Sequence, residues 1–117
     1  MIYLASPYSD PSSLVRYDRF LRTREYVWEC IAAGESIFSP IVYCHQFVHT
    51  HSAGTDAATW EQFNRGMILA SSLVRVLQLP GWDRSVGVQA EIALSQTEGI
   101  PLEYAPHNGH FRTRSAS

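Results

Sequence analysis

The sequence predicts an α/β protein: a single doubly wound parallel sheet with helices on both faces. Short apolar runs that end near proline alternate along the chain with longer segments in which apolar residues recur at helical spacing. Such alternation is typical of parallel strands joined by helical crossovers. The length of 117 residues suits one domain. We assign it to residues 1–105 and interpret residues 106–117 as a polar tail.

Four short apolar runs are predicted to be buried parallel strands, because each is brief and bounded by turn residues. They cover residues 2–5, 36–39, 73–79 and 101–105. Between the second and third runs, residues 41–59 contain three histidines and several turn residues, and we predict an irregular loop there.

Three helices are predicted between the strands. Asp10 followed by Pro11 is a start signal for the first, an N-cap residue before proline at the first helical position. Gly34 is a typical end for that helix. The second helix covers residues 60–70, and the third, capped by Asp83 or Ser85, extends to residue 98.

Composition restricts the function classes. The net charge is −2, so no basic field is available to hold a nucleic-acid polymer. All nine basic residues are arginine, which excludes Schiff-base chemistry and a P-loop lysine. Cys30 and Cys44 form no C-x-x-C pair, so we interpret them as reduced thiols of a cytoplasmic protein. No apolar stretch is long enough for a signal or membrane segment. A chain this short is also expected to form a homodimer or higher homo-oligomer.

The most informative segment is 79–91, Leu-Pro-Gly-Trp-Asp-Arg-Ser-Val-Gly-Val-Gln-Ala-Glu, which passes from a strand end into a helix. Ligands of doubly wound sheets bind outside the carboxyl ends of the strands. The helix N-terminus and the Ser85 hydroxyl predict a small anion site suited to one phosphate, and Gly87 permits close approach. Glu91 is predicted among apolar neighbours, which is atypical for a carboxylate. Its spacing also fits an ordinary exposed glutamate near a helix start.

Two stretches resemble one known superfamily. Residues 2–10, Ile-Tyr-Leu-Ala-Ser-Pro-Tyr-Ser-Asp, resemble the opening strand and loop of the nucleoside 2-deoxyribosyltransferases. Residues 85–91, Ser-Val-Gly-Val-Gln-Ala-Glu, resemble the Ser-x-Gly-Val-x-x-Glu helix start of the 2′-deoxynucleoside 5′-phosphate N-hydrolases of the same superfamily. The resemblance covers about residues 2–105 and implies a Rossmann-like fold.

The resemblance implies roles for individual residues. Glu91 matches the nucleophile that attacks the anomeric carbon. Ser85 stands where the N-hydrolases bind the 5′-phosphate and the transferases carry an aspartate. Ser6 and Tyr8, with Pro7 between them, match the loop that contacts the sugar and orients the glutamate. We therefore predict Glu91 and Tyr8 as catalytic residues and Ser6, Pro7, Ser85 and Gly87 as substrate contacts.

An N-glycosidic bond breaks through an oxocarbenium-like state that a carboxylate can stabilise or capture. A second group must protonate the leaving base, and Asp83 and His45 are the candidates. Asn64 and Trp82 are alternative contacts of the base, although Trp82 also fits a packing role. Arg19, on the first helix, is a candidate for a phosphate.

The chain departs from the relatives at two points. Asn64 and Arg65 stand in the region where the transferases carry an acidic residue, and no aspartate ends the third strand. The spacing of His45, His49 and His51 resembles that of zinc ligands, but acidic or cysteine partners are scarce nearby, so we predict no metal. These histidines then form a polar loop, or His45 contacts substrate.

The predicted function is an N-glycosidase or sugar transferase that acts on a nucleoside 5′-monophosphate or nucleoside and needs no cofactor. The alternative is a non-catalytic protein on the same fold that sequesters or senses a nucleotide. A third interpretation, an interaction protein that has lost the pocket, fits less well because Ser6, Tyr8, Ser85 and Glu91 are all present. The expected partner is a small molecule, with neither a nucleic-acid polymer nor a membrane. Trp28 and Trp60 are interpreted as core or dimer packing.

Overall fold

The computed structural model describes residues 1–48 and 57–107. Its four strands form one parallel sheet in the order β2-β1-β3-β4. The strands are β1 (Ile2–Ala5), β2 (Ile37–Phe38), β3 (Leu73–Gln78) and β4 (Leu102–Pro106). The helices are α1 (Ser13–Ala32), α2 (Pro40–Val48), α3 (Ala57–Leu69) and α4 (Val86–Thr97), with a 3₁₀ turn at Trp82–Arg84. The predicted α/β class with a parallel sheet is confirmed.

The side chains of the central strands contribute to two separate hydrophobic cores, because successive side chains of a strand point to opposite faces of the sheet. Tyr3 and Val76 lie in one core, together with residues of α3 and α4. Leu4 and Leu77 lie in the other, together with residues of α1. Helices therefore cover both faces of the sheet, as predicted.

The candidate crevice follows from the strand order. From β1 the chain passes to β2 on one side, and it then crosses to β3 on the other side of β1. The connections at the carboxyl ends of β1 and β3 thus leave in opposite directions, which opens a crevice between them. Residues 6–12 and 79–85, which follow these two strands, lie at that edge.

A charged cluster centred on Arg75 ties the α1 face together. The Arg75 guanidinium donates to both carboxylate oxygens of Glu35, at 2.9 and 2.7 Å, and to Glu103 at 2.7 Å. It also lies 3.3 Å from the Tyr26 hydroxyl and 3.6 Å from the Cys30 thiol. The hydrogen bonds to these carboxylates raise the pKa of Arg75 above its usual value. The cluster joins β3, β4 and the end of α1.

The predicted start of the first helix is wrong by two residues. The Asp10 carboxylate accepts a hydrogen bond from the Ser12 amide at 2.9 Å, which makes a local turn ahead of the helix. Ser12 is the N-cap, and its hydroxyl accepts from the Val15 amide at 3.4 Å. Serine and aspartate both favour N-caps, so this sequence offers two adjacent starts.

The predicted irregular loop at 41–59 is also wrong, since α2 and the start of α3 fall within it. The Ser39 hydroxyl accepts from the Val42 amide at 3.2 Å, and Pro40 is the first helical residue. Serine followed by proline is a helix start signal, and in this sequence the same two residues also follow a strand. His49 and His51 lie outside the described residues. No helix within the described residues is long and apolar enough to cross a membrane.

Candidate active site

Glu91 and Tyr3 form a hydrogen-bonded pair between α4 and β1. Glu91 is mostly buried, and it accepts a hydrogen bond from the hydroxyl of the fully buried Tyr3. Burial raises the pKa of Glu91 to about 7, while the hydrogen bond from Tyr3 acts in the opposite direction. Burial and the neighbouring carboxyl raise the pKa of Tyr3 as well, so its hydroxyl stays a neutral donor. The interpretation of Glu91 as an ordinary exposed helix residue is therefore wrong.

Tyr3 is the residue that sequence analysis missed. The sequence predicts only that Tyr3 lies in a buried strand. A signal was available, because a buried tyrosine hydroxyl needs a hydrogen-bond partner and Glu91 was predicted among apolar neighbours. The two positions lie 88 residues apart, so only the tertiary fold joins them.

Tyr8 and His45 form a second pair, across the β1–α1 loop and α2. The Tyr8 hydroxyl lies 2.8 Å from Nδ1 of His45. The imidazole stacks on Phe20 with ring centroids 4.0 Å apart, and the Tyr17 ring is 6.2 Å away. The ring contacts fix the orientation of the His45 imidazole. Its hydrogen bond to Tyr8 would allow a proton to pass between the two side chains.

Helix α2 carries two titratable residues, Cys44 and His45, next to each other in the chain. Cys44 contributes to the electrostatic environment that raises the pKa of Tyr3. His45, the next residue, faces Tyr8. Burial raises the pKa of Cys44 to about 11, which keeps its thiol neutral.

Arg19 connects the two loops at the carboxyl edge of the sheet. Its guanidinium donates to the Ser9 carbonyl at 2.8 Å and more weakly to the Tyr8 carbonyl at 3.4 Å. Its Nη2 atom lies 2.9 Å from the position that a Cβ at Gly81 would occupy. Gly81 has a φ of +92°, which favours glycine, and a Cβ at this position would displace the Arg19 guanidinium. The sequence did not place Arg19, and the structure puts it beside the predicted site.

The start of α4 has the features of an anion site. Ser85 is its N-cap, and the hydroxyl accepts from the Val88 amide at 3.2 Å. The amides of Val86 and Gly87 lie in the first turn, where no intrahelical acceptor exists. Among the described residues, a Cβ at Gly87 would meet only the Ser85 hydroxyl, at 3.9 Å, so the approach is open. The first turn has no acidic residue, so the positive end of the helix dipole is not neutralised locally.

The remaining base-binding candidates differ in placement. Asn64 lies on α3, and its Oδ1 atom is buried without a hydrogen-bond partner among the described residues. Trp82 packs against the α3–α4 core and lies 5.6 Å from the Tyr104 ring, so it has the packing role named as an alternative. It also lines a shallow cleft with Gln78 and His107. Asp83 is exposed, and its carboxylate makes no hydrogen bond to the described residues.

Ser6 and Pro7 are buried behind the loop surface. Ser6 is 5% exposed, and its hydroxyl lies 3.5 Å from the Thr23 hydroxyl on α1. Pro7 is fully buried. These contacts anchor the β1–α1 loop to α1, and the loop in turn carries Tyr8 towards His45.

Comparison with known proteins identifies the family but gives no activity. No curated protein matches this chain. Residues 1–105 match the sequence profile of a family described as a domain of unknown function (DUF1937). The matched range contains every strand and helix described above, except for the last residue of β4. Because this match extends over far more than half of the sequence, the chain belongs to the DUF1937 family.

Proposed function

We propose that this protein cleaves or transfers the sugar at the N-glycosidic bond of a nucleoside 5′-monophosphate or nucleoside, with Glu91 as the nucleophile. The observation that carries the proposal is the Glu91 carboxyl, buried against one neutral donor and in no ion pair with the described residues. The resemblance of residues 2–10 and 85–91 to the nucleoside 2-deoxyribosyltransferase superfamily supports the same assignment.

The chemistry uses the two oxygens of Glu91 differently. Tyr3 donates to Oε2, which leaves Oε1 to approach the anomeric carbon of the sugar. As the new C–O bond forms, the C–N bond breaks, and its electron pair leaves with the base, which takes up a proton. A water molecule or a second base then attacks the glycosyl ester and releases Glu91. The positive charge that develops on the sugar favours the ionised form of the carboxyl.

The 5′-phosphate is assigned to the start of α4. The Ser85 hydroxyl can donate its proton to a phosphate oxygen while accepting from Val88, and the free amides of the first turn add two donors. Arg19 lies beside Gly81, four residues before Ser85, and supplies the positive charge. These contacts support a nucleotide in preference to a free nucleoside.

The leaving base is assigned to the α2–α3 side. The Tyr8–His45 pair can deliver a proton, and His45 is better supported in this role than the exposed Asp83. The unpaired Oδ1 of Asn64 is a suitable acceptor for an amino group of the base, since leaving a buried acceptor unpaired costs about 1–3 kcal/mol. Asn64→Ala should therefore weaken the binding of an amino-substituted base.

Base release is the test of the proposal. The purified protein is incubated with each common nucleoside and 5′-monophosphate, ribo and deoxy, and the free base is quantified by chromatography. Glu91→Gln keeps the shape of the side chain but removes the nucleophile, so release should fall roughly 10³-fold, about 4 kcal/mol of barrier. Glu103→Gln is the matched control, because it changes a carboxylate on the Arg75 cluster and should leave release unchanged.

Two outcomes would contradict the assignment. Equal base release by Glu91→Gln and wild type would exclude Glu91 as the nucleophile. If no compound releases its base but one nucleotide raises the melting temperature, the protein is a nucleotide-binding protein without this activity.

The phosphate assignment has its own test. Affinity for a 5′-monophosphate should exceed that for the matching nucleoside at least about tenfold, because charge-assisted hydrogen bonds contribute about 1.5–3 kcal/mol. Ser85→Ala should remove much of this difference without weakening nucleoside binding, as measured by calorimetry. Equal affinities in the wild type would place the phosphate elsewhere.

A further inference from the structure

Two arginines of helix α1 bind the loop that precedes this helix. Arg19 donates to the carbonyl of Ser9 at 2.8 Å and more weakly to that of Tyr8 at 3.4 Å. Arg16 donates to the carbonyl of Asp10. The loop lies outside the helices and strands, so its carbonyl groups need partners from other parts of the chain. The two guanidinium groups therefore hold three successive carbonyls, and the first of these belongs to Tyr8.

The same helix holds the partner of Tyr8. The Tyr8 hydroxyl lies 2.8 Å from Nδ1 of His45, and the two rings are nearly perpendicular. The imidazole stacks on Phe20, which follows Arg16 by four residues and so lies on the same side of α1. Helix α1 thus contacts both members of the Tyr8–His45 pair, one through its arginines and the other through an aromatic ring.

Arg16 also places a positive charge near Tyr8. Burial raises the pKa of Tyr8, while the charge of Arg16 acts to lower it. Arg16 and Arg19 are half-buried and form no ion pair with the described residues. The one carboxylate of the loop, that of Asp10, accepts a hydrogen bond from the Ser12 amide. The charge near Tyr8 is therefore not balanced by an ion pair with a described carboxylate.

A cation at this position favours the loss of a proton from the pair. When the proton moves from the Tyr8 oxygen to Nδ1 of His45, the O–H bond breaks, its electron pair stays on oxygen, and an imidazolium forms. Once the imidazolium has protonated the leaving base, the pair carries one negative charge, which Arg16 offsets. Attack on the glycosyl ester by water or a second base releases one proton, which restores the pair.

We propose that Arg16 is a positioning residue for the Tyr8–His45 pair: it fixes the loop that carries Tyr8 and stabilises the negative charge left on Tyr8 when the pair gives up a proton. The use of that proton rests on the proposed function, whereas the contacts of Arg16 and its effect on Tyr8 do not. Arg19 binds the neighbouring carbonyls, so the loop keeps these contacts when Arg16 is replaced.

The effect of Arg16 on Tyr8 can be measured without any reaction. Difluorotyrosine, whose fluorines bring the phenol pKa towards neutral, is placed at position 8 alone, and the pKa is followed by fluorine NMR. Arg16→Met should raise this pKa by about one unit because it removes a nearby positive charge, and Arg16→Lys, which keeps the charge, should raise it less. Arg22→Met is the matched control on the same helix, since Arg22 pairs with Asp18 and should leave the pKa unchanged.

The sign of the shift separates the charge effect from a loosened loop. A loop that merely came loose would expose Tyr8 to water, and the pKa would fall because the burial that raises it is lost. An unchanged or lower pKa in Arg16→Met would therefore overturn the proposal.

Base release by the same variants tests the consequence for the reaction. An ordinary base needs a proton as it leaves, whereas an N7-methylated purine carries a positive charge and leaves as a neutral molecule. Arg16→Met should lower kcat for an ordinary 5′-monophosphate at least about tenfold with little change in KM, and Arg16→Lys should recover part of the loss. The N7-methylated purine nucleotide should be cleaved by Arg16→Met at the wild-type rate.

Equal losses on the two substrates would show that Arg16 only supports the structure and would overturn the proposal. If the wild type releases no base from any compound, the proposed reaction fails instead, and the fluorine NMR measurement decides whether Arg16 acts on Tyr8.

Discussion

Each face of the sheet holds a buried tyrosine and at least one carboxyl group, but the two faces balance charge differently. On the α1 face, Arg75 is surrounded by Glu35, Glu103 and the Tyr26 hydroxyl, so positive and negative groups compensate each other. On the opposite face, Glu91 has the Tyr3 hydroxyl as its partner and no cation among the described residues. The α1 face therefore carries a charge-compensated cluster that joins three elements of the fold. On the opposite face, the ionised form of Glu91 has a hydrogen bond from Tyr3 but no compensating cation among the described residues.

The largest expected effect of this difference is on the pH dependence of stability. Burial raises the pKa of Glu91 from 4.5 to about 7, so the folded state binds this proton more tightly than the unfolded state does. The resulting contribution to the free energy of unfolding is complete below about pH 4.5 and is lost as the pH rises to about 7.

Denaturant unfolding of wild type and Glu91→Gln between pH 4.5 and 8 isolates this contribution. The wild type should lose up to about 3 kcal/mol relative to the variant as the pH rises, since each pH unit corresponds to about 1.36 kcal/mol. If the free energies of unfolding of the two proteins change with pH in the same way, then Glu91 has an ordinary pKa. The two faces of the sheet would then not differ in how they compensate charge.

The next effect concerns the compensated cluster. Arg75→Met should lower the free energy of unfolding by about 2 kcal/mol, because it removes several hydrogen bonds to charged groups at a side chain only 12% exposed. Glu35 and Glu103 are 36% and 46% exposed, so water can solvate them afterwards and limit the loss.

Arg22→Met provides the control, since it breaks an exposed pair with Asp18 that should contribute well under about 1 kcal/mol. Base release should survive Arg75→Met under conditions where the variant is folded. A folded Arg75→Met protein that has lost base release would show that the two faces are not functionally separate.

The smallest effect is a shift in the acidic limb of the pH–rate profile. Tyr3→Phe removes the hydrogen bond that stabilises the ionised form of Glu91, so the pKa of Glu91 should rise by about one further unit. The midpoint of base release should then move to higher pH. Tyr26→Phe removes the matching hydroxyl on the other face and should leave the midpoint in place. If both variants shift it equally, the hydrogen bond to Glu91 is not the cause.

Local patterns predicted much of the fold. The strands were found within one or two residues because apolar runs closed by proline or glycine carry a local signal, as at Pro80-Gly81 after β3. The Ser85 cap was likewise one of two predicted starts for α4. Helix α2 was missed because Ser39-Pro40 both ends a strand and starts a helix, and local sequence does not distinguish these roles.

The candidate site was only partly predictable. Glu91 could be singled out, since a carboxyl among apolar helix neighbours is unusual. Its contact with Tyr3 depends on the crossover that sets α4 against β1, and Arg19 lies beside Gly81 because α1 and the loop after β3 begin at the same edge of the sheet. Contacts between residues so far apart in the chain depend on the topology of the fold. The spacing of apolar residues along the sequence does not reveal that topology.

The two edge strands of the sheet are poorly suited to pair with a strand of another molecule. The edge strand β2 has two residues and is followed at once by Ser39 and Pro40. The other edge strand, β4, is preceded by Pro101 and ends at Pro106. Proline has no amide hydrogen to donate, and short edges offer few unpaired groups to an incoming strand. Growth of the sheet into fibrils by strand addition is therefore disfavoured at both ends.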